Sequence, residues 1–232
     1  MTYSRVLIFD VETTGLLPKY YEPQRLKLYK IHNLPHIIQL SFMVYDFTID
    51  KIVKKYNAYI KVPVDIPQEI TRLTGINKEK TTTIGVDIKE ALVEFYQAYV
   101  ECDCVIAHNL KFDRNMILIE LERQRENFAT LEIFKMFDSE YNKSLNIVLE
   151  CTMNLTRDYC NIQRTNTTGS YIKFPTLTEL HNKLFDETPE NMHNSLMDIL
   201  ICLKCYLKFK HNIAIPEPYY KNILQEIQHE IC

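Results

Sequence analysis

The sequence predicts an α/β fold in which helices flank a mixed five-stranded sheet. Five short runs of apolar or alternating residues are typical of β-strands, and longer stretches with a 3.6-residue apolar period are typical of helices. No helical pattern separates the first three runs, whereas the later runs alternate with helices. Since parallel neighbours need a crossover connection, the sheet should be antiparallel over its first three strands and parallel afterwards.

The five predicted strands, in chain order, are "RVLIFD", "HIIQLSFMVYD", "KYNAYIKV", "DCVIAHN" and "NIVLECT". Between the first two lies an unusually long connection, residues 17–36, which contains several tyrosines. Long loops in compact domains often carry function, so this connection is a candidate functional segment.

Four segments carry the helical period: "VDIKEALVEFYQAYVE", "FDRNMILIELERQRE", "TLTELHNKLF" and "HNSLMDILICLKCYLKF". Thr176 and Thr178 are both candidate N-caps of the third segment. The first segment should pack on the sheet through one apolar face, which comprises Ile88, Leu92, Phe95, Tyr96 and Tyr99. No repeat or polar linker interrupts the chain, so we expect a single domain over residues 1–232.

Composition narrows the class of protein. No apolar run is long enough to span a bilayer, and the first residues place acids where a signal peptide keeps its apolar core. The seven scattered cysteines are then most simply reduced thiols. We therefore expect an intracellular protein that is not secreted, with cytoplasm and nucleus both open.

The formal charge of −3 argues against binding nucleic acid by bulk electrostatics. Local basic surfaces remain candidates, although such charges more often form a merely solvated face. One candidate set comprises Lys19, Arg25, Lys27 and Lys30, and a second comprises Arg114, Arg123 and Arg125.

The first strand ends in the stretch "VLIFDVETTGL", which carries two adjacent acids. Asp10 and Glu12 are two residues apart, so an extended chain points both carboxylates to the same side. Like charges this close repel each other unless a cation lies between them. The pair therefore predicts a metal site, provided that other segments supply further ligands.

Three other residues are candidates for the same site. Asp113 lies just past a short apolar strand, at the start of a helix, and Asp198 lies within an apolar helix. Burying an unpaired carboxylate is costly, and a divalent cation offsets that cost; the alternative is that Asp198 faces solvent. His193 precedes that helix and, taken alone, would be a surface histidine. Together, four acids and a histidine match a two-metal site for phosphoryl hydrolysis.

The strings "FDVETTGL", "IAHNLKFD" and "HNSLMD" resemble, in this order, the three motifs of the DEDDh or DnaQ-like exonuclease superfamily, which includes the proofreading subunit of bacterial DNA polymerase III. The resemblance covers about residues 3–209, and a C-terminal helix, residues 216–231, is expected beyond it. Gly75 and Ile76 also fit a Gly-Ile pair that precedes a helix in the superfamily, whereas Ser195 stands where alanine is common. The resemblance implies a ribonuclease H-like fold, in agreement with the mixed sheet.

By this resemblance, Asp10, Glu12, Asp113 and Asp198 match the four metal-binding acids, and His193 matches the general base. The implied cofactors are two divalent cations, Mg²⁺ or Mn²⁺, which are hard ions that prefer carboxylate oxygens. Histidine suits proton transfer because this residue type titrates near neutral pH. The implied activity is the release of nucleoside 5′-monophosphates from the 3′ end of a nucleic acid.

The resemblance also implies contacts to the substrate. Thr13, Thr14, Gly15 and Leu16 match a turn whose backbone approaches the terminal nucleotide, with an apolar residue against its base. Gly15 permits close approach, and Leu16 can pack on the face of any base, which favours single-stranded or frayed ends. The alternative is that Leu16 and Leu17 begin a core-packed loop. Asn109 matches a further substrate contact, and the 17–36 loop is expected to contact either substrate or a partner.

The leading hypothesis is a metal-dependent 3′ to 5′ exonuclease acting on DNA, in repair or proofreading. Two alternatives stay open: a 3′ to 5′ exoribonuclease, and a non-catalytic module that binds nucleic-acid ends or a polymerase. A degenerate module should have lost one of the five residues, and all are present. The expected partners are a nucleic acid with a free 3′ end and, for proofreading, a polymerase; no membrane partner is expected. The superfamily contains monomers and dimers, so the oligomeric state stays open.

Overall fold

The computed structural model describes residues 3–231, except residues 24, 25, 27, 28, 129–131, 190 and 191. A five-stranded sheet lies at its centre, in the spatial order β3-β2-β1-β4-β5. β1 pairs antiparallel with β2 and β2 with β3, whereas β1–β4 and β4–β5 are parallel. The strands are β1 (Arg5–Thr13), β2 (Ile37–Asp46), β3 (Lys51–Tyr59), β4 (Cys104–Ala107) and β5 (Val148–Cys151). The predicted mixed sheet is thus confirmed.

Helices cover both faces of the sheet, and the four predicted ones are present. Thr176 caps its helix in a capping box with Glu179, so Thr178 is not the cap. No helix of the described ranges is long and apolar enough to cross a membrane. Within those ranges the helices are α1 (Gln68–Thr74), α2 (Lys78–Ile84), α3 (Ile88–Val100), α4 (Leu110–Arg123), α5 (Ser139–Ser144), α6 (Thr152–Leu155), α7 (Arg157–Cys160), α8 (Leu177–Phe185), α9 (Ser195–Tyr206) and α10 (Glu217–Ile231).

Two apolar layers follow from the alternation of side chains along β1. Leu7 and Phe9 face a layer that includes α3 and α4, whereas Val6 and Ile8 face a layer that includes α8 and α9. α10 joins the second layer through Ile223 and Ile227, both buried. The single domain over residues 1–232 stays a prediction.

Several short elements were not predicted. α1 and α2 flank Gly75, whose φ of 72° ends the first of them, and Asn77 caps the second. The prediction of a Gly-Ile pair before a helix therefore agrees with the backbone. A separate hairpin, β6 (Ile162–Asn166) and β7 (Gly169–Lys173), was also missed. Its residues are polar and largely exposed, so the apolar alternation that reveals core strands is absent.

The 17–36 connection is pinned at its ends. Two hydrogen bonds join the residues at its ends, Thr14 and His36. The backbone N–H of His36 donates to the Thr14 hydroxyl at 2.9 Å, and the Thr14 N–H donates to the His36 carbonyl at 2.9 Å. Tyr21 is buried and packs on Tyr29 at 5.1 Å between ring centroids, so it is structural and unavailable to a ligand. Tyr20 is exposed. The proposed basic residues Arg25 and Lys27 lie outside the described residues.

Arg123 holds the far end of this connection, so its assignment to a basic surface is wrong. Its guanidinium donates to the carbonyls of Ile31, Leu34 and Pro35 at 2.6 to 2.9 Å. It also pairs with the buried carboxylate of Glu120 at 2.6 Å. Arg123 satisfies buried carbonyl and carboxylate acceptors. A count of charges along the sequence does not reveal this structural role.

We expect Arg123→Ala to lower the free energy of unfolding by about 3–5 kcal/mol, because it strands the buried Glu120 carboxylate and three carbonyls. Thermal melting should show a decrease of about 10 °C in Tm. Arg125→Ala is the matched control, since its ion pair with Glu122 is half-exposed and worth about 1 kcal/mol or less. Equal losses in both variants would contradict the structural role of Arg123.

Candidate active site

The site begins at the end of β1, where the strand presents two acids to one side. Asp10 and Glu12 project to the same side of β1, while Val11 between them points into the apolar layer under α3 and α4. β1 lies at the middle of the sheet, flanked by β2 and β4. The two carboxylates are thereby placed on the most rigid part of the fold.

Two helices bring the other acids to the same place. Asp198 lies in the first turn of α9, where its N–H donates to the carbonyl of Asn194 at 2.9 Å, and Asn194 caps the helix. Asp113 lies in the first turn of α4, and its Oδ1 accepts from the N–H of Val11 at 3.3 Å. Asp198 is therefore not the solvent-facing acid of the alternative reading, since it faces the centre of the fold.

The acids form a compact cluster. One oxygen from each of Asp10, Glu12 and Asp198 lies within 4.8 Å of the others. Asp113 is not part of this tight group, but it lies close enough to raise the pKa of Asp10 and Glu12. Within the described ranges, no ion pair involves any of the four.

Burial raises the pKa of every acid in the cluster, and the charges of neighbouring acids raise it further for Asp10, Glu12 and Asp113. For Asp10 the pKa is well above its usual range, because of burial first and then the charges of Asp113, Asp198 and Glu12. The pKa of Glu12 is raised to about 8 by the same two causes. Burial raises the pKa of Asp113 to about 8 and that of Asp198 to about 7, against a backbone N–H bond in each case. Such shifts are typical of functional sites.

A divalent cation fits these residues. Oδ2 of Asp113 and Oδ1 of Asp198 are buried and lack a hydrogen-bond partner among the described residues. Buried carboxylate oxygens without donors are costly unless a cation binds them. Oxygen ligands are also the donor set that Mg²⁺ and Mn²⁺ prefer. The cluster is therefore a candidate metal centre.

His193 lies at the entrance to this cluster. It precedes the cap of α9, has a φ of 69° and is exposed, as expected for a residue in the turn before the helix. Its backbone N–H opposes the upward shift in the pKa of Asp198, which places the residue beside the acids. His193 is therefore held next to the cluster through its backbone, with its side chain exposed to solvent.

Comparisons with known proteins agree with this geometry. A family model described as RNase_T, exonuclease, matches residues 7–206. The chain belongs to the RNase T exonuclease family, of the DEDDh or DnaQ-like type. It is therefore a nuclease domain of a class that acts on nucleic-acid ends and depends on divalent metal.

Among relatives of this exonuclease chain, the PolC-type DNA polymerase III of Staphylococcus epidermidis is 28% identical over 145 residues. The match covers 59% of this chain and 9% of the polymerase, and a Staphylococcus aureus homologue matches at the same identity and coverage. The chain thus corresponds to a small part of these relatives.

Solved structures share the fold of the exonuclease chain. Exonuclease I of E. coli, in complex with a dT13 oligonucleotide, has a TM-score of 0.61 at 16% identity, over 90% of this chain and 42% of that one. The nuclease domain of 3′hExo, a DEDDh family member bound to rAMP, has a TM-score of 0.59 at 13% identity, over 90% and 93% of the two chains. The ribonuclease H-like architecture is thereby confirmed.

The turn after β1 of this exonuclease is open to a ligand. Leu16 is 85% exposed, so it does not begin a core-packed loop. A side chain added at Gly15 would meet no atom within 4 Å, which leaves space beside its backbone. Thr13 donates its hydroxyl to the Gly15 carbonyl at 2.7 Å, and Thr14 binds His36 as described above. Asn109 is exposed at the start of α4, with a φ of 72°.

Two supporting contacts of the site were missed by sequence reasoning. The hydroxyls of Ser41 on β2 and Ser195 on α9 lie 2.5 Å apart and are buried, so Ser195 ties the start of α9 to the sheet. His108 is buried between the hydroxyl of Thr152 and the carbonyl of Pro175, and burial lowers its pKa to about 4. His108 is therefore structural. No sequence signal connects serines that are 154 residues apart.

We expect the metal-free exonuclease to lose stability as pH rises. The four carboxyls have higher pKa values in the folded than in the unfolded state, so their protonation stabilises the fold. This contribution is fully present below about pH 4 and is lost as pH rises to about 8. In EDTA, Tm should decrease by at least about 5 °C between pH 5.5 and 8.5. Mn²⁺ should restore it at pH 8.5 and have little effect at pH 5.5.

The control for this measurement is Glu12→Gln/Asp198→Asn, in which two of the titrating groups are neutral at every pH. Its melting temperature in EDTA should depend less on pH than that of the wild-type chain. A wild-type Tm in EDTA that is unchanged over this pH range would contradict the crowding of acids in the cluster.

Proposed function

We propose that the chain is a 3′ to 5′ exonuclease that removes nucleoside 5′-monophosphates from the 3′ end of DNA. The observation that supports this most is the convergence of Asp10, Glu12 and Asp198 within 4.8 Å, with Asp113 beside them. Three elements distant in sequence supply these acids, and none of the described basic side chains neutralises them. Clustered, buried carboxylates destabilise the metal-free protein, and bound cations would offset that cost.

In this proposal, Asp10, Glu12, Asp113 and Asp198 hold two divalent cations. When bound, the cations stabilise charge on the phosphoryl oxygens and on the departing 3′ oxygen, and they promote ionisation of the attacking water. His193 accepts the proton of that water and later releases it to solvent. In this proposal its exposed position before α9 gives the imidazole access to the attacking water and to solvent.

The turn after β1 is proposed to hold the terminal nucleotide. Gly15 presents its open backbone near Glu12, and Thr13 and Thr14 shape the turn, because the Thr14 N–H already donates to the His36 carbonyl. The exposed Leu16 packs on the face of the last base. Asn109, exposed at the end of β4, contacts the sugar or phosphate from the other side. Packing on a base face requires an unpaired end, so single-stranded or frayed 3′ ends are the expected substrates.

RNA is the second candidate substrate. The similar 3′hExo nuclease domain was solved with rAMP, whereas Exonuclease I was solved with dT13 and the matched relatives are DNA polymerases. Proofreading would involve a polymerase, and the chain matches 9% of the length of a PolC-type polymerase. A degradative role would not.

A gel time course tests the proposal. The substrates are 5′-labelled single-stranded DNA, RNA of the same sequence and a duplex with a mismatched 3′ end, each with Mg²⁺, Mn²⁺ or EDTA. We expect a metal-dependent ladder that shortens from the 3′ end, and the strand cut fastest identifies the substrate. Binding without cleavage in any metal would instead indicate a non-catalytic module that holds nucleic-acid ends.

A further inference from the structure

The hairpin of β6 and β7 projects from the body of the protein. Residues 163–171 are all exposed, and only the residues at the base of the hairpin are partly buried. Five-residue strands make it about 17 Å long. A hairpin that buries so little apolar surface contributes little to the stability of the core. Its side chains are therefore available for binding a ligand.

Two arginine–aromatic pairs lie on this hairpin and at its base. Arg164 and Tyr171 are direct partners in the register of β6 and β7, so their side chains share one face. The guanidinium of Arg157 lies 5.5 Å from the ring centroid of Phe174. Tyr171 and Phe174 are each 47% exposed, so both rings are accessible to a ligand. We call these four residues the hairpin surface.

The charge of this region differs from that of the whole chain. Residues 152–176 contain three basic residues and one acid, whereas the chain has a net charge of −3. The acid, Asp158, pairs with Arg157 at 3.0 Å, and Lys173 pairs with Glu179 at 2.8 Å. Arg164 makes no ion pair with any residue that the structure describes. The hairpin surface therefore combines exposed aromatic rings with two arginines, of which Arg164 lacks an ion-pair partner among the described residues.

A chain of contacts connects the base of the hairpin to α9, the helix that carries Asp198. Nε2 of His108 donates to the carbonyl of Pro175, which directly follows Phe174, at 3.0 Å. Nδ1 of His108 lies 2.9 Å from the hydroxyl of Thr152, which in turn lies 3.6 Å from Sγ of Cys202. Cys202 is one helical turn after Asp198 on α9. The hairpin surface thus starts at the same end of the parallel strands as the acids.

We propose that the hairpin surface binds single-stranded nucleic acid, namely the nucleotides on the 5′ side of the one being removed. This inference rests on the proposed exonuclease function. In this proposal Tyr171 and Phe174 each stack on a base, while Arg157 and Arg164 contact phosphates or stack beside the rings. With a rise of about 3.4 Å for each stacked base, the hairpin has room for several nucleotides. The contacts are independent of base sequence, because every base presents an aromatic face.

Substrate length provides the test. We would measure kcat/KM of the full chain on oligonucleotides of 2, 4, 8 and 16 residues, as both DNA and RNA, with Mn²⁺. For Tyr171→Ala/Phe174→Ala, we expect a loss of about tenfold or more on the 16-mer and less than about twofold on the dinucleotide. Tyr171→Phe/Phe174→Tyr keeps both rings and should behave like the wild-type chain. Circular dichroism melting verifies that each variant is folded.

Salt dependence tests the arginines separately. For Arg157→Ala and Arg164→Ala, the slope of log kcat/KM against log salt on the 16-mer should become shallower by about 0.7 for each charge removed. Lys143→Ala is the control, because it removes an exposed charge on α5, which leads into β5 at the opposite end of the parallel strands. Its slope should equal that of the wild-type chain.

The outcomes separate the two proposals. A length-dependent loss in the alanine variants, on whichever strand the wild-type chain degrades, supports the hairpin surface. If the alanine variants degrade substrates of every length as fast as the wild-type chain does, the proposed role of the hairpin surface is overturned. The exonuclease proposal would then remain intact. Equal losses on the dinucleotide and the 16-mer would also overturn it, since they would indicate damage to the acid cluster. No turnover by the wild-type chain would instead overturn the proposed function.

Discussion

Replacing Asp198 by asparagine is expected to reduce hydrolysis by at least about 10³-fold while leaving the fold intact. The substitution removes one ligand charge from the group that Asp198 forms with Asp10 and Glu12. A metal ion contributes several kcal/mol of transition-state stabilisation, and each 1.36 kcal/mol corresponds to a factor of ten. Asp10→Ala should have the same effect, because its carboxylate lies at the centre of the cluster.

Stability should change in the opposite direction from activity. In the metal-free protein burial raises the pKa of Asp198 to about 7, which reflects the cost of ionising it inside the fold. Asparagine keeps the shape and removes that cost, so Tm in EDTA at pH 8 should equal or exceed that of the wild-type chain. Asp65→Asn, at an exposed acid far from the cluster in sequence, is the matched control and should keep full activity. An active Asp198→Asn variant would refute the metal site.

His193→Ala is expected to reduce kcat by about 10²- to 10⁴-fold, the range typical for loss of a general base. The effect should be confined to turnover, because in the proposed mechanism the clustered carboxylates hold the cations and the exposed His193 only transfers a proton. Steady-state kinetics would measure the loss, and titration with Mn²⁺ would measure cation affinity.

The control for His193→Ala is His229→Ala, which removes an exposed histidine from α10. That variant should retain wild-type turnover and cation affinity. If His193→Ala weakened Mn²⁺ binding by more than a few fold, the histidine would be a ligand and not a base. Unchanged kcat would remove His193 from the mechanism altogether.

The central sheet was accessible from sequence because its strands carry the apolar signal of a core. β1 alternates between two apolar layers, and the helices α3, α4, α8 and α9 have buried faces with a helical period. The hairpin of β6 and β7 has no such signal, since its residues face water on both sides. Short helices such as α6 and α7, four residues each, are too brief to establish a period.

The candidate site was accessible for a different reason. Asp10 and Glu12 are adjacent on one strand, and each further acid occurs in a short motif with its own recognisable neighbours. The supporting contacts have no such signature. Ser41 meets Ser195, and Arg123 meets the carbonyls near Pro35, only because the fold brings distant segments together. Such pairs depend on tertiary packing, which a single sequence does not encode locally.

The pinned ends of the 17–36 connection have a consequence for how this domain tolerates insertions and deletions. Thr14 and His36 are joined by two backbone-mediated hydrogen bonds, and Arg123 anchors the carbonyls that precede His36. The segment between can therefore lengthen or shorten without moving Glu12 or the start of β2. Doubling the length of a loop costs only about 0.6 kcal/mol in closure entropy. Natural variation in chain length should accordingly concentrate here, beside an active site whose geometry it leaves unchanged.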